Sequence, residues 1–237
     1  MSKLQNIRLK NKMGISKREI KLVVLMIMFI YMLNSCASMS TLQTARVTEK
    51  GQYAYVFGGG VVESRIPYGT TDTLKLTIPF VEIGIRYGIF DKMDVGAKIS
   101  IIGTATADVK YQFIGDSKSK FAGSIGLGVG YMNMNSNVSN TILQSNFVDA
   151  MLPVYFSYHP INWIALYCSP KYVLRTIISQ NYNDNTVSYG HSNWYGASGG
   201  IRIGKRIAFL AEYTLFENNQ ISEPFSQITC GISYGFY

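Results

Sequence analysis

Residues 121–131 read Phe-Ala-Gly-Ser-Ile-Gly-Leu-Gly-Val-Gly-Tyr. Ile125, Leu127, Val129 and Tyr131 share one set of alternate positions with Phe121; Ala122, Ser124, Gly126, Gly128 and Gly130 take the other. Successive side chains of an extended chain point to opposite sides, so a period of two divides this stretch into two faces of a β-strand. A helix would repeat its apolar residues every three or four positions.

The same alternation extends in both directions along the chain. Ile83, Ile85 and Tyr87 alternate with Glu82, Gly84 and Arg86; Val95, Ala97, Ile99 and Ile101 with Gly96, Lys98 and Ser100; Ala107, Val109, Tyr111 and Phe113 with Asp108, Lys110 and Gln112. It recurs over 148–159, 163–175, 195–204, 207–216 and 227–237, and more weakly over 52–62. Ten strands are expected, each near the roughly 9–11 residues with which a tilted strand crosses a bilayer.

The second face decides the solvent of the first. In a soluble sandwich the apolar face points inward and the other meets water, whereas in a membrane barrel the apolar face meets lipid and the polar face lines the lumen. The apolar faces carry no charge. The opposite faces carry Glu82, Arg86, Asp94, Lys98, Asp108, Lys110, Asp149, Lys171, Arg175, Arg202 and Glu212, interleaved with Gly, Ser and Ala. Small residues mixed with opposite charges suit a narrow, filled lumen better than a water-facing sheet. Gly126, Gly128 and Gly130 would leave room for long side chains such as Arg86 or Lys171, or permit curvature.

Connections alternate in length. Segments 89–93, 115–119, 160–162 and 205–206 are short; 63–75, 133–147, 176–194 and 217–226 are long, and only 103–106 breaks the rule. Short periplasmic turns and longer external loops are the pattern of outer-membrane barrels. Tyr87, Phe90, Phe113, Phe121, Tyr158 and Trp163 stand beside the short turns. Tyr131, Phe147, Tyr172, Trp194, Tyr195, Phe216 and Phe225 stand near the long segments, as two interfacial belts would. The expected fold is therefore an all-β, up-and-down antiparallel transmembrane β-barrel over residues 51–237, with both ends of its strand array on the periplasmic side.

The chain has a net charge of +8, but residues 1–35 hold seven basic residues and one acid, leaving the remainder nearly balanced. The basicity is a property of the N-terminus, and nucleic-acid binding is not expected. Lys17-Arg18-Glu19-Ile20-Lys21 precedes the apolar run 22–33, whose twelve residues would rise about 18 Å as a helix, too short to cross a hydrocarbon core. That pattern is a secretory signal. Leu33-Asn34-Ser35-Cys36 follows and resembles the lipobox of bacterial lipoproteins. The resemblance implies cleavage before Cys36, acylation of that cysteine, a palmitate-type anchor on the periplasmic side and dependence on lipoprotein-export machinery. Residues 36–50 then read as a polar periplasmic linker.

At the other end, Ile228, Cys230, Ile232, Tyr234 and Phe236 alternate up to a terminal Tyr237. This resembles the C-terminal signal by which outer-membrane barrels engage the insertion machinery. Taken together, the two ends and the body resemble the small outer-membrane β-barrel proteins, which implies outer-membrane lipid as the surroundings.

Sites for chemistry are sparse. Some barrels of this kind act on lipid or peptide with a rim His, and His191 beside Ser192, with Asp184 nearby in sequence, is the candidate; His159, before Pro160, reads as a turn residue. Gly58-Gly59-Gly60 lacks the Lys-Ser/Thr of a phosphate loop. No Cys/His spacing suggests zinc, and neither metal nor cofactor is expected. A non-enzymatic structural or surface-recognition protein is the principal expectation, presenting its long loops to an extracellular ligand. A narrow solute pore and a rim enzyme are the alternatives. Cys168 and Cys230 fall on apolar faces of separate strands and should remain free thiols.

Overall fold

The computed structural model describes residues 39–237 apart from 69–71, 102, 139–140, 182–185, 219–220 and 236–237. Ten strands run β1 (Tyr53–Tyr68), β2 (Asp72–Phe90), β3 (Met93–Ser100), β4 (Thr104–Ile114), β5 (Phe121–Val138), β6 (Thr141–Ile161), β7 (Ile164–Asn181), β8 (Thr186–Gly204), β9 (Ile207–Asn218) and β10 (Ile221–Gly235). Each pairs antiparallel with its sequence neighbour, and β1 closes on β10 from Ala54↔Gly235 to Glu63↔Ser226. The result is the up-and-down ten-stranded barrel expected from the alternation. Closure removes the sheet edges, so the ladder satisfies the wall's backbone groups without water, the condition for standing in hydrocarbon.

Alternation becomes inside and outside. On β5, Ile125, Leu127 and Val129 are exposed while Ser124 is fully buried. On β9, Phe209, Tyr213 and Leu215 face out, and Leu210, Glu212 and Thr214 face in. Tyr87, Phe90, Phe113, Phe121, Tyr158 and Trp163 stand on the lipid-facing side and form the belt at the short-turn end. There the Tyr53 and Tyr87 rings lie 4.7 Å apart, and those of Phe121 and Tyr158 4.6 Å apart. At the other end Tyr131, Tyr172 and Tyr195 face out, and the first two donate their hydroxyls to Asn146 (2.9 Å) and Asn193 (3.0 Å). Phe147, Trp194, Phe216 and Phe225, expected in that belt, instead lie on the inner face. They fall on the same alternate positions as Asp149, Ser192, Thr214 and Gln227.

The segments expected as long external loops are mostly strand. β1 pairs with β2 out to Tyr68↔Asp72, β5 with β6 to Val138↔Thr141, and β7 with β8 to Asn181↔Thr186. Polar Asn and Ser residues suppress the apolar alternation there, but backbone pairing continues past the membrane zone because a ladder needs no apolar face. The wall is uneven: β6 has 21 residues and β3 only eight. The β3–β4 hairpin, closed by Gly103 N–H on Ser100 O at 3.0 Å, is a low notch in the rim opposite the short turns.

The other departure concerns residues 39–48. Expected within a linker outside the barrel, they run through its lumen. Gln52 N–H bonds Glu49 O at 2.9 Å in a reverse turn whose Gly51 has φ +77°, a conformation that favours glycine. That turn folds the segment back from the foot of β1 into the barrel.

Candidate functional site: a plugged lumen

The lumenal segment is held at nearly every residue. At the short-turn end Thr48 N–H donates to Asp94 (2.8 Å), Val47 N–H to Gln112 (3.0 Å) and Ala45 N–H to Ser157 (3.2 Å). Arg46 reaches Ser119 O in the β4–β5 turn at 2.7 Å. Midway, Lys110 Nζ donates to Gln43 Oε1 (3.1 Å), Thr44 O (3.1 Å) and Arg46 O (2.9 Å), and Gln43 donates to the Tyr155 hydroxyl at 3.1 Å. Glu212 accepts the N–H groups of Thr41 (2.6 Å) and Leu42 (2.7 Å). Farther up, Lys98 donates to Ser40 O at 2.8 Å, Lys171 to Met39 O, and Met39 N–H to Gln227 at 3.0 Å. A segment without secondary structure is tolerable in a dry lumen only where side chains replace its ladder partners, as they do here.

Apolar contacts fix its register. Leu42 packs on Tyr167, Leu210 and Val56, and Ala45 on Ala122 and Tyr155. A Cβ at Gly58 would stand 2.5 Å from Leu42 Cδ1, so this glycine is a notch for the leucine. Met39 meets a collar of Val62, Phe80, Val173, Phe216 and Phe225, with Trp194 against it. The lumen was expected to be polar throughout; the collar and the Leu42 contacts are the exception, and both serve the plug. Beside the segment is a cavity of about 90 Å³, lined by Lys98, Asp108, Asp149, Tyr155 and Lys171 among others.

The interior charges anticipated from the sequence all project inward, and most meet one another. Arg86 bonds Asp94 (2.6 Å) and Asp108 (2.8 Å), Lys98 pairs with Glu82 (3.1 Å), and Lys110 stands 3.7 Å from Asp94. Asp149 and Arg175 form a two-pronged pair of 2.8 and 2.7 Å, the guanidinium standing 5.5 Å from the Phe147 ring and 5.6 Å from that of Trp194. Arg202 caps the β8–β9 turn on Gly204 O (2.9 Å) and Lys205 O (2.6 Å). Lys110, Lys171 and Glu212 bind the plug rather than only the wall, a role that no pairwise reading of charges anticipates. Room for Arg86 comes from Gly96, where a Cβ would meet the guanidinium; Gly126 and Gly128 accommodate Tyr155 and Met151 instead.

The rim residues considered for catalysis are separated by the pleat. His191 faces outward, with Nδ1 3.3 Å from Thr176 Oγ1, whereas Ser192 is buried and accepts the Trp194 indole N–H at 3.0 Å. Adjacent strand residues point to opposite faces and cannot act as a nucleophile–base pair. Asp184 and Cys36 lie outside the described residues. His159, expected in a turn, is buried inside at 3.0 Å from Ser157 Oγ, the atom that also accepts Ala45 N–H, so this contact belongs to the plug's seating. Among the described residues no group of three His, Cys, Asp or Glu side chains gathers as for a metal. Cys168 and Cys230 are free and exposed on the outer face.

An aliphatic outer face between two aromatic belts, wrapped around a charged and occupied lumen, defines an integral outer-membrane β-barrel. The chain belongs to the family described as membrane bound beta barrel domain (DUF5777), which it matches over residues 42–236. Among solved structures it shares its fold with the outer membrane protease OmpT of Escherichia coli, at 11% identity and a TM-score of 0.52, over 83% of this chain and 100% of that one. It is also similar to Ail, the attachment invasion locus protein of Yersinia pestis, at 10% identity and a TM-score of 0.40, over 79% and 99% of the two chains. None of the curated proteins matches the sequence.

Proposed function

We propose that this outer-membrane barrel is a non-conducting, non-enzymatic scaffold that displays its tall β5–β6 and β7–β8 hairpins for recognition at the cell surface. The observation that carries this reading is the occupied lumen: residues 39–48 fill the path a solute would take, and their hydrogen bonds hold the wall together from within. A ten-stranded barrel is narrow at the outset, and wide aqueous channels belong to barrels of about sixteen strands. The hairpins rise past the outer aromatic belt and are rich in Asn, Ser and Tyr, side chains suited to adaptable polar contacts.

Planar-bilayer recording of the purified full chain should give no steady conductance, and removal of residues 39–48 should open one. Steady conductance of the intact chain would favour the narrow-pore reading. For recognition, the two hairpins are shortened to Asn-Gly turns at the level of the aromatic belt, and whole cells carrying either form are compared on glycan and extracellular-protein arrays. Loss of binding on shortening supports recognition; identical array profiles overturn it.

The signal and Cys36 support a further reading, that the mature chain begins at a lipidated Cys36 after handling by lipoprotein-export machinery. Palmitate label that persists in Cys36→Ala would overturn it.

A further inference from the structure

The lipid-facing side of the wall is not smooth. A groove of about 350 Å³ runs over β4 to β7, bounded by Ile114, Phe121, Phe156, Tyr158, Leu166 and Cys168, all six exposed. That volume falls within the roughly 300–1,000 Å³ of small-molecule pockets. The groove lies between two irregularities of the ladder. The register shifts between Gln112 and Ile114 where β4 meets β5, and between Tyr158 and Ile161 where β6 meets β7. Such shifts bend the strand and re-aim its side chains. Ile114 is turned over Gly123, where a Cβ would stand 3.1 Å from its Cδ1, and forms one bank of the groove.

The groove runs from the membrane interface into the hydrocarbon. Phe121 and Tyr158, stacked at 4.6 Å, belong to the aromatic belt at the short-turn end. Cys168 stands four residues into β7 from that end, about 13 Å along the strand at roughly 3.3 Å per residue. Beside the belt, the β4–β5 turn carries Lys118 and Lys120, both exposed. His159 N–H donates to Lys120 O at 2.7 Å, which sets this lysine against the foot of β6, next to Tyr158 as well as Phe121. Among the described residues no ion pair engages either lysine. Asp116, the one acid of residues 115–120, turns its carboxylate to the N–H groups of Lys118 and Ser119. A positively charged turn therefore stands at the mouth of an apolar groove.

We propose that this groove holds an acyl chain of an anionic glycerophospholipid from the leaflet at the short-turn end, with Lys118 and Lys120 binding its phosphate. Aliphatic and aromatic walls at hydrocarbon depth suit the chain, and two ammonium groups at interface depth suit the headgroup. Lysine binds phosphate as a flexible point charge. A zwitterionic headgroup would offset the phosphate with its own cation, so the lysines favour a net-negative lipid. The site is on the outside of the wall and depends neither on the plug nor on display by the hairpins.

The two outer thiols supply the test. Cys168 lines the groove, whereas Cys230, five residues from the end of β10 on the same short-turn side, lies outside it. The full chain is folded into vesicles of phosphatidylcholine, alone or with phosphatidylglycerol. Alkylation of each thiol by a membrane-permeant maleimide is then followed by peptide mass spectrometry. Phosphatidylglycerol should slow Cys168 several-fold relative to Cys230, and Lys118→Gln with Lys120→Gln should abolish the difference. Equal slowing of both thiols, or none, overturns the proposal. Slowing that survives the lysine substitutions overturns it too, because the headgroup contact would then be wrong. Native mass spectrometry of the full chain from the same vesicles gives a second readout. One phosphatidylglycerol should stay with the parent and be lost from Cys168→Trp, whose indole fills the groove. Equal retention of phosphatidylcholine, or a dimer of this chain in place of the lipid-bound monomer, is the contrary result.

Discussion

The carboxylate of Glu212, inward on β9, accepts the backbone N–H of Leu42 at 2.7 Å. The partners are 170 residues apart in the chain and belong to the wall and the plug. The carboxylate also accepts Thr41 N–H (2.6 Å) and the hydroxyls of Tyr167 (3.1 Å) and Thr214 (3.1 Å). Hydrogen bonds to a charged acceptor contribute about 1.5–3 kcal/mol each when buried, and removing the acceptor strands the donors. Glu212→Ala should lower stability by about 3 kcal/mol, read as a lower temperature for loss of the folded-barrel gel mobility, and should admit transient conductance.

Lys110 is fully buried and holds three plug oxygens. Lys110→Met keeps the length of the side chain but leaves those oxygens without their donor and Asp94 with Arg86 as its remaining cation. Breaking a buried ionic cluster on one side costs about 3–5 kcal/mol. The same gel assay should show a larger loss than for Lys98→Met, because Lys98 is only half-buried.

Leu42 and Gly58 should be coupled. Leu42→Ala empties a packed site, at about 2–4 kcal/mol. Gly58→Ala brings a methyl to within 2.5 Å of Leu42 Cδ1 and forces one of them to move. In the double substitution the new methyl occupies the space the leucine vacates. The double-mutant cycle should therefore depart from additivity by more than about 0.5 kcal/mol. Additive behaviour would mean that Leu42 does not sit in this notch.

Asp116 caps the β4–β5 turn, accepting Lys118 N–H and Ser119 N–H, both at 2.8 Å, and the Ser119 hydroxyl at 2.9 Å. These bonds favour the carboxylate and hold its pKa below the ordinary value. The contribution is fully present above the unfolded carboxyl pKa and fades as pH falls through the folded one. Asp116→Ala should be slightly less stable than the parent near neutral pH, with the difference shrinking as the pH falls below the ordinary carboxyl range in acid melts of the detergent-folded protein.

Cys168 pairs with Gly199 and Phe156, and Cys230 with Ala211 and Gly59, so β8 and β9 stand between their strands. Non-reducing mass spectrometry of the folded protein should find both as thiols, each alkylated by a membrane-permeant maleimide. A Cys168–Cys230 bridge would contradict the strand order.

The wall was legible in the sequence because its signal is local: residues two apart share a face, and lipid on one side with lumen on the other imposes a visible contrast in side-chain chemistry. Strand number, polarity and the inward charges followed from that period. The tall hairpins escaped because polar strands above the membrane keep their backbone ladder after the apolar contrast has ended. Residues 39–48 have no period, since their side chains answer to many different strands, and their hydrogen-bond partners in the wall are 42 to 188 residues away. The collar was equally hidden: Val62, Phe80, Val173, Phe216 and Phe225 are single inward apolar residues on separate strands, each an isolated exception until closure sets them in one ring. The sequence by itself determined a barrel for the outer membrane. Only the tertiary structure decided that the lumen is filled by residues 39–48, because threading depends on contacts that exist only once β1 and β10 have met.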